Sequence, residues 1–311
     1  MSLVSSFRGV VRTTVTVSMK VVRRAARWVR ARPVQALSVG IGAAMAGAST
    51  WGLLDPALYG EPASVAALYR GLDVASLAAA APALLWAVRR SGSGSARVEL
   101  VWLGMLLYTG YTYLLYVFGV DATAARPLHL ALVLAAVAGV AGLLRQLDPG
   151  DISRRLGAGR PLRLGAVGLG LLGGGLGAMW GFSLARHLIS GEPLPEAQLV
   201  QTPEGALLSA TADLALLVPS YLLAAVLLWR RSPWGEALGG ALLAAGVVQQ
   251  VGYQSGLLSQ SMAGIPGASP FDPAEPVIVA VYAAGLAVVL GAVRRGGVRV
   301  HGVVGVTPRR R

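Results

Sequence analysis

Eight apolar runs, each long enough to cross a lipid bilayer as a helix, constrain the fold of this chain more than any other feature. A spanning helix needs roughly 20 mostly apolar residues at a rise of 1.5 Å per residue. Hydrophobic residues fill 55% of the 311 positions and charged residues only 13%, which is too apolar for a domain with a solvated surface. The runs cover about 34–54, 68–88, 98–120, 127–147, 164–186, 206–229, 238–258 and 276–293. We therefore predict an all-α polytopic membrane protein with eight transmembrane helices.

Arginine and lysine are concentrated on alternate connections between these runs. The two tails and the connections after the second, fourth and sixth runs hold 24 of the 27 basic residues, and the other connections hold only Arg70, Arg126 and Arg186. Basic connections stay on the cytoplasmic side of a membrane protein, so both chain ends are predicted to be cytoplasmic. A partition into seven runs would break this alternation. The sequence thus predicts a multi-pass protein of the bacterial cytoplasmic (inner) membrane.

The net charge of +13 has a topological explanation, so it does not indicate a protein that binds nucleic acid. The basic residues lie where anionic headgroups attract them, and we predict membrane lipids at the cytoplasmic face as partners and no nucleic acid. The chain has no cysteine, which excludes disulfides, thiolate metal sites and a cysteine nucleophile.

The N-terminal tail, residues 1–33, carries a pattern of its own. On a helical projection its central basic residues fall on about one third of the circumference, and apolar residues lie opposite. The basic residues are Lys20, Arg23, Arg24, Arg27 and Arg30. This pattern predicts an amphipathic helix on the cytoplasmic leaflet, either a topology anchor or a regulatory segment. We divide the chain into this tail, a single membrane domain over 34–293, and a basic cytoplasmic tail over 294–311.

An internal repeat is predicted to divide the membrane domain into residues 34–147 and 164–293. Six short motifs recur in the same order in both: Trp-Gly, Gly-Glu-Pro, Asp, Pro, Arg-Arg and Gly-Tyr. They begin at Trp51, Gly60, Asp73, Pro82, Arg89 and Gly110, and again at Trp180, Gly191, Asp213, Pro219, Arg230 and Gly252. Each half contains four spans, an even number, so both halves have the same orientation. We predict two parallel four-helix repeats related by an axis along the membrane normal.

Three segments of the chain carry a resemblance to known proteins. The stretch Tyr108–Gly119 holds four tyrosines, Ala212–Pro219 follows in the sixth run, and Arg230–Gly235 forms an RR-x-P-W-G turn. Together they resemble an uncharacterised family of bacterial multi-spanning integral membrane proteins with a tyrosine-rich third span and this cytoplasmic turn. The resemblance implies the architecture and assigns no activity.

Polar side chains inside the apolar runs are the candidate functional site, because they are costly in hydrocarbon and usually face the interior of a bundle. The direction of each span puts these polar groups in the outer half of the membrane. We predict that Asp73 and Asp213 bind a proton or a cation. Their predicted hydrogen-bond partners are Tyr108, Tyr111, Gln250 and Gln254.

Each of these assignments has a structural alternative. The two aspartates could pair with Arg70 and Arg186 near the interface and serve folding alone. The glutamines could be hydrogen-bonding links between helices. Tyr116 and Trp180 are favoured as members of the outer aromatic belt.

The leading function is binding or translocation of a small solute or proton through a polar cavity open to the exterior. One alternative is a membrane-embedded enzyme acting on a lipid or polyprenyl substrate, and another is a structural or assembly protein. The enzyme is less favoured, because the three histidines offer no HExxH or other metal spacing, and Ser183 and Ser220 have no histidine at a diagnostic spacing. We therefore predict no catalytic residue, no metal site and no cofactor.

Overall fold

The computed structural model describes residues 33–55, 57–120, 123–155, 161–191 and 198–292. These residues form helices and connecting turns and contain no strand, which confirms the all-α prediction for the described part of the chain. The predicted amphipathic tail helix and the basic C-terminal tail lie outside the described residues, except for Pro33.

Eleven helices are described, and two pairs of them are continuous through a π-helical turn. The first four are α1 (Pro33–Leu54), α2 (Ala63–Ala75), α3 (Ala81–Arg90) and α4 (Ala96–Gly119). The next four are α5 (Arg126–Leu144), α6 (Pro149–Arg155), α7 (Leu162–Ser190) and α8 (Pro203–Ala212). The last three are α9 (Val218–Trp229), α10 (Pro233–Met262) and α11 (Glu275–Ala292).

Six helical rods are long and apolar enough to cross a membrane by length and composition: α1, α2–α3, α4, α5, α7 and α8–α9. They coincide with the first six predicted runs, and they are consistent with a membrane-embedded protein. Helix α10 spans 30 residues but does not belong to this set, and α11 is a shorter apolar helix.

Helix α10 is less apolar because protein surrounds it. It packs against α2, α4, α9 and α11, and half of its residues are buried. Small residues allow close approach there: a Cβ on Gly104 of α4 would lie 2.6 Å from the carbonyl oxygen of Ala241. On the α2 side, a Cβ on Gly71 would lie 2.6 Å from the backbone of Gly256. A helix enclosed by other helices does not need the lipid-facing side chains of a peripheral one.

Two π-helical turns, Ser76–Ala80 and Asp213–Leu217, interrupt the second and sixth spans. Each turn ends two residues before a proline, Pro82 in α3 and Pro219 in α9. Proline has no N–H, and its ring collides with the carbonyl four residues earlier, so the helix widens locally. The second turn begins at Asp213, so this turn helps to set the direction of its carboxylate.

The hydrophobic core has two clusters. One gathers buried side chains mainly of α1 to α5, and the other gathers those mainly of α7, α9 and α11. Helix α10 contributes to both, with Ala241 and Val248 in the first and Ala237 and Leu243 in the second. This central helix therefore joins the two clusters.

Candidate functional site

Asp73 lies in α2, has no exposed surface, and is held by hydroxyl groups. Tyr59 donates to Asp73 Oδ2 at 2.5 Å, and Tyr116 of α4 donates to Oδ1 at 3.0 Å. Two neutral hydroxyl groups, one from the connection after α1 and one from α4, thus converge on one buried carboxyl group.

A glycine makes room for this arrangement. A Cβ at Gly52 of α1 would collide with Oδ2 of Asp73 and with the hydroxyl of Tyr59. Tyr59 itself lies in the connection between α1 and α2. Burial and the adjacent Asp73 carboxylate raise the pKa of the Tyr59 hydroxyl above its ordinary value, so Tyr59 keeps its proton and remains a donor.

Aromatic rings enclose this carboxylate. The imidazole of His129 lies 4.9 Å from the ring centre of Tyr116 and 5.5 Å from that of Tyr113. His129 is buried, and its Nε2 has no hydrogen-bond partner among the described residues. His129 lies early in α5 and belongs to no sequence motif, so the sequence carried no signal of its contact with the tyrosine rings beside Asp73.

Asp213 has a different set of partners. Tyr111 of α4 donates to Oδ1, and the indole Nε1 of Trp180 donates to Oδ2 at 2.8 Å. Asp213 is half-buried, whereas Trp180 is buried. The sequence predicted Tyr111 as a partner but assigned Trp180 to the aromatic belt. That belt interpretation is wrong for Trp180 and for Tyr116, because both are buried and each donates to an aspartate.

Neither aspartate has a basic partner within 4.0 Å among the described residues. Arg70, the sequence candidate for pairing with Asp73, donates instead to the carbonyl oxygen of Leu53 at 3.3 Å. Arg154 forms ion pairs with Asp148 and Asp151 on the surface, away from Asp73 and Asp213. Asp73 and Asp213 therefore do not form the predicted alternative ion pairs with Arg70 and Arg186.

The other predicted site residues lie in two further places. The hydroxyl of Tyr108 forms a hydrogen bond of 3.1 Å with Ser76 and reaches neither aspartate. Gln250 donates to Glu275 at 3.4 Å, and the Nε2 of Gln254 is buried without a partner among the described residues. The structure thus separates the predicted set into two aspartate sites, a Tyr108–Ser76 contact and a group on α10.

The chemistry available at these sites is that of carboxyl, phenol, indole and imidazole groups. Among the described residues, no group of three or more His, Cys, Asp or Glu side chains lies in a position to hold a metal ion. A shallow groove of about 360 Å³ lies elsewhere, at the Arg230 end of α9. No family model, curated protein or solved structure matches this chain.

Proposed function

We propose that this is an integral membrane protein that takes up and releases protons at Asp73 and Asp213 in order to bind or move a small solute. One observation carries the proposal. Among the described residues, every side chain that donates a hydrogen bond to either carboxyl group is neutral. A carboxylate inside a membrane without a cationic partner is costly, and protonation relieves that cost.

The hydroxyl partners of Asp73 support reversible protonation. A hydroxyl group can donate to an ionised carboxylate, and after rotation it can accept from a protonated one. Tyr116 can do both, because its hydroxyl also lies 3.0 Å from the carbonyl oxygen of Tyr69 and can donate there when it accepts from a protonated Asp73. A cationic partner would instead hold the carboxylate in its ionised form.

At Asp213 the two partners differ in this respect. The indole N–H of Trp180 can only donate, so Oδ2 remains an acceptor in either protonation state. Tyr111 can donate or accept, so the proton of a neutral Asp213 belongs on Oδ1. The two partners therefore determine which oxygen of Asp213 carries the proton, and they place the Tyr111 hydroxyl next to it.

The architecture that we propose has eight membrane crossings, with α10 and α11 added to the six apolar rods. The alternation of basic residues supports it, since both chain ends then lie in the cytoplasm of a bacterial cell. The two π turns before Pro82 and Pro219 and the two core clusters support a pair of parallel repeats. The resemblance to an uncharacterised multi-spanning family agrees with this architecture.

Infrared difference spectroscopy of the purified protein at varied pH tests the proposal. We expect two protonated-carboxyl carbonyl bands, of which Asp73→Asn removes one and Asp213→Asn the other. Asp148→Asn is the matched control, because Asp148 is exposed and its nearest basic partner, Arg154, lies at 3.7 Å. The control should keep both bands.

Vesicles containing the protein and an internal pH-sensitive dye test the transport part. Asp213→Asn should abolish proton uptake driven by an imposed pH gradient, whereas Asp148→Asn should leave it unchanged. If the spectra of all three variants match the wild type while the two buried-site variants lose stability, the aspartates serve folding and the protein is a structural or assembly protein.

A further inference from the structure

The groove at the Arg230 end of α9 has a volume of about 360 Å³ and is formed between α7 and α9. Helix α7 begins at Leu162 and α9 ends at Trp229, so the groove lies near the start of one helix and the end of the other. It reaches from Arg230 back to Ala225, which is five residues or about 7.5 Å along the helix. We call it the α7–α9 groove, and its lining residues are Ala166, Val167, Ala225, Val226, Trp229 and Arg230.

Two arginines lie beside the α7–α9 groove. Arg230 lines it, and the guanidinium carbon of Arg163 lies 5.1 Å from the centre of the Trp229 ring. Both arginines are exposed, and no Asp or Glu oxygen lies within 4.0 Å of either guanidinium group among the described residues. The attraction to the ring holds Arg163 beside the groove and uses no hydrogen-bond acceptor. Two positive charges therefore stand next to Trp229 without a counter-charge from the described part of the chain.

The walls of the groove are apolar, and exposed apolar surface continues from them away from the arginines. Val167 and Val226 are 45% and 48% exposed, and both belong to rods long and apolar enough to cross a membrane. Leu171 lies four residues after Val167, and Leu222 lies four residues before Val226, so each is one turn further from the arginine end on the same face. Both leucines are exposed. Charge at one end and apolar surface below it match the headgroup and the acyl chain of a phospholipid.

We infer that the α7–α9 groove binds one anionic phospholipid, a diacyl lipid whose headgroup carries a phosphodiester and no positive group. Guanidinium groups donate parallel pairs of hydrogen bonds to phosphate oxygens. Trp229 contacts Arg163 and lines the groove together with Arg230, so one headgroup is within reach of both arginines. The first part of one acyl chain lies in the groove along Val226. A headgroup with an ammonium group binds less well, because the groove lining includes no carboxylate to offset its repulsion from the two arginines.

This site differs from a general attraction of anionic lipid to a basic membrane face. Scattered basic residues attract anionic headgroups within a Debye length and hold none of them in a fixed place. A basic pocket between membrane helices instead retains a particular lipid headgroup. The inference requires that the protein lies in a membrane, and it does not require that Asp73 or Asp213 exchanges protons.

Native mass spectrometry of the purified full-length protein in a mild detergent tests the inference. The probes are phosphatidylglycerol and phosphatidylcholine with identical acyl chains, and inorganic phosphate serves as a competitor without acyl chains. We expect the first phosphatidylglycerol to bind at least about tenfold more tightly than phosphatidylcholine. Arg163→Gln and Arg230→Gln should each weaken phosphatidylglycerol binding by about fivefold and leave phosphatidylcholine binding unchanged.

Matched variants separate the groove from the total charge of the protein. Arg89→Gln removes an exposed arginine from the last turn of α3 and should keep the wild-type affinity. Val226→Trp fills the groove without changing the charge, so it should weaken phosphatidylglycerol binding. Leu134→Trp is its control, because Leu134 is an exposed apolar residue on α5, and the affinity should stay unchanged.

Equal affinities for the two lipids would overturn the inference. An equal loss of affinity in Arg89→Gln and Arg230→Gln would also overturn it, because the attraction would then come from total charge. Displacement of the lipid by inorganic phosphate at equal concentration would make this a phosphate site, and full affinity in Val226→Trp would place the acyl chain outside the groove. Either result contradicts a lipid site here. None of these results depends on the carboxyl bands of Asp73 and Asp213, so the proposed function and the lipid site can fail separately.

Discussion

Tyr111 of α4 donates a hydrogen bond to Asp213, a residue 102 positions later in the chain. The same helix donates from Tyr116 to Asp73. The two tyrosines are five residues apart, about 7.5 Å along the helix axis at 1.5 Å per residue. Helix α4 therefore contacts both aspartate carboxyl groups, and a rotation or shift of this helix would change the hydrogen bonding of both.

The bond between Tyr111 and Asp213 should be measurable with a double-mutant cycle. We expect Tyr111→Phe to lower the free energy of unfolding by about 1 kcal/mol, and to have little further effect once Asp213→Asn is present. A coupling energy near 0.6 kcal/mol is typical of neutral pairs between membrane helices, whereas about 1.5–3 kcal/mol indicates an ionised carboxylate. Reversible unfolding in mixed detergent micelles at several pH values would provide the measurement.

Tyr113→Phe is the matched control for that cycle. Its hydroxyl forms only long contacts, 3.4 Å to Ser49 and 3.5 Å to the carbonyl oxygen of Met45. Its removal should cost less than the removal of the Tyr111 hydroxyl. An equal loss in both variants would contradict a specific role for the Tyr111–Asp213 bond.

Gly52→Ala should destabilise the protein, because the added methyl group would occupy the space of the Asp73 carboxyl group and the Tyr59 hydroxyl. Overpacking of this kind costs about 1–3 kcal/mol. Gly47→Ala on the same helix is the control, since a Cβ there meets nothing within 4 Å. Thermal unfolding of the two variants should separate them, and equal stability would mean that Asp73 does not lie against α1 as described.

The contact between α2 and α10 should be equally sensitive to added volume. A Cβ at Gly71 would meet the backbone of Gly256 at 2.6 Å, and backbone atoms cannot rotate away as a side chain can. We expect Gly71→Ala to cost about 3 kcal/mol, near the upper end for overpacking. Gly175→Ala on α7 has open space and should be nearly neutral. Retention of wild-type stability by Gly71→Ala would argue against a central position for α10.

Reporter fusions test the proposed topology. Fusions after residues 93, 156, 232 and 311 should report the cytoplasm, and those after 60, 123, 195 and 266 the exterior, because basic residues alternate in this way. The informative position is 195, since it lies between the two proposed repeats. A cytoplasmic signal there would exclude the eight-span arrangement and make the repeats inverted.

The sequence alone determined where most helices lie. Apolar run length is a local property, so the predicted run at 98–120 corresponds to Ala96–Gly119 and that at 127–147 to Arg126–Leu144. The second run, predicted at 68–88, is part of a longer rod from Ala63 to Ser93. At its C-terminal end the rod is longer because helical hydrogen bonding continues through the polar residues 89–93, which an apolar run excludes.

Only the tertiary structure decided which polar groups meet. The sequence identified Asp73, Asp213 and Tyr111 as costly in hydrocarbon, but their neighbours depend on how distant helices pack. Tyr59 lies in a connection outside every apolar run, and Trp180 is a residue type that is common at the membrane interface. Neither residue therefore carried a sequence signal of its contact with an aspartate. Glu275 similarly looked like one more acidic residue on the outer side. Its burial follows from the packing of α11 against α10, which no periodicity within either segment specifies.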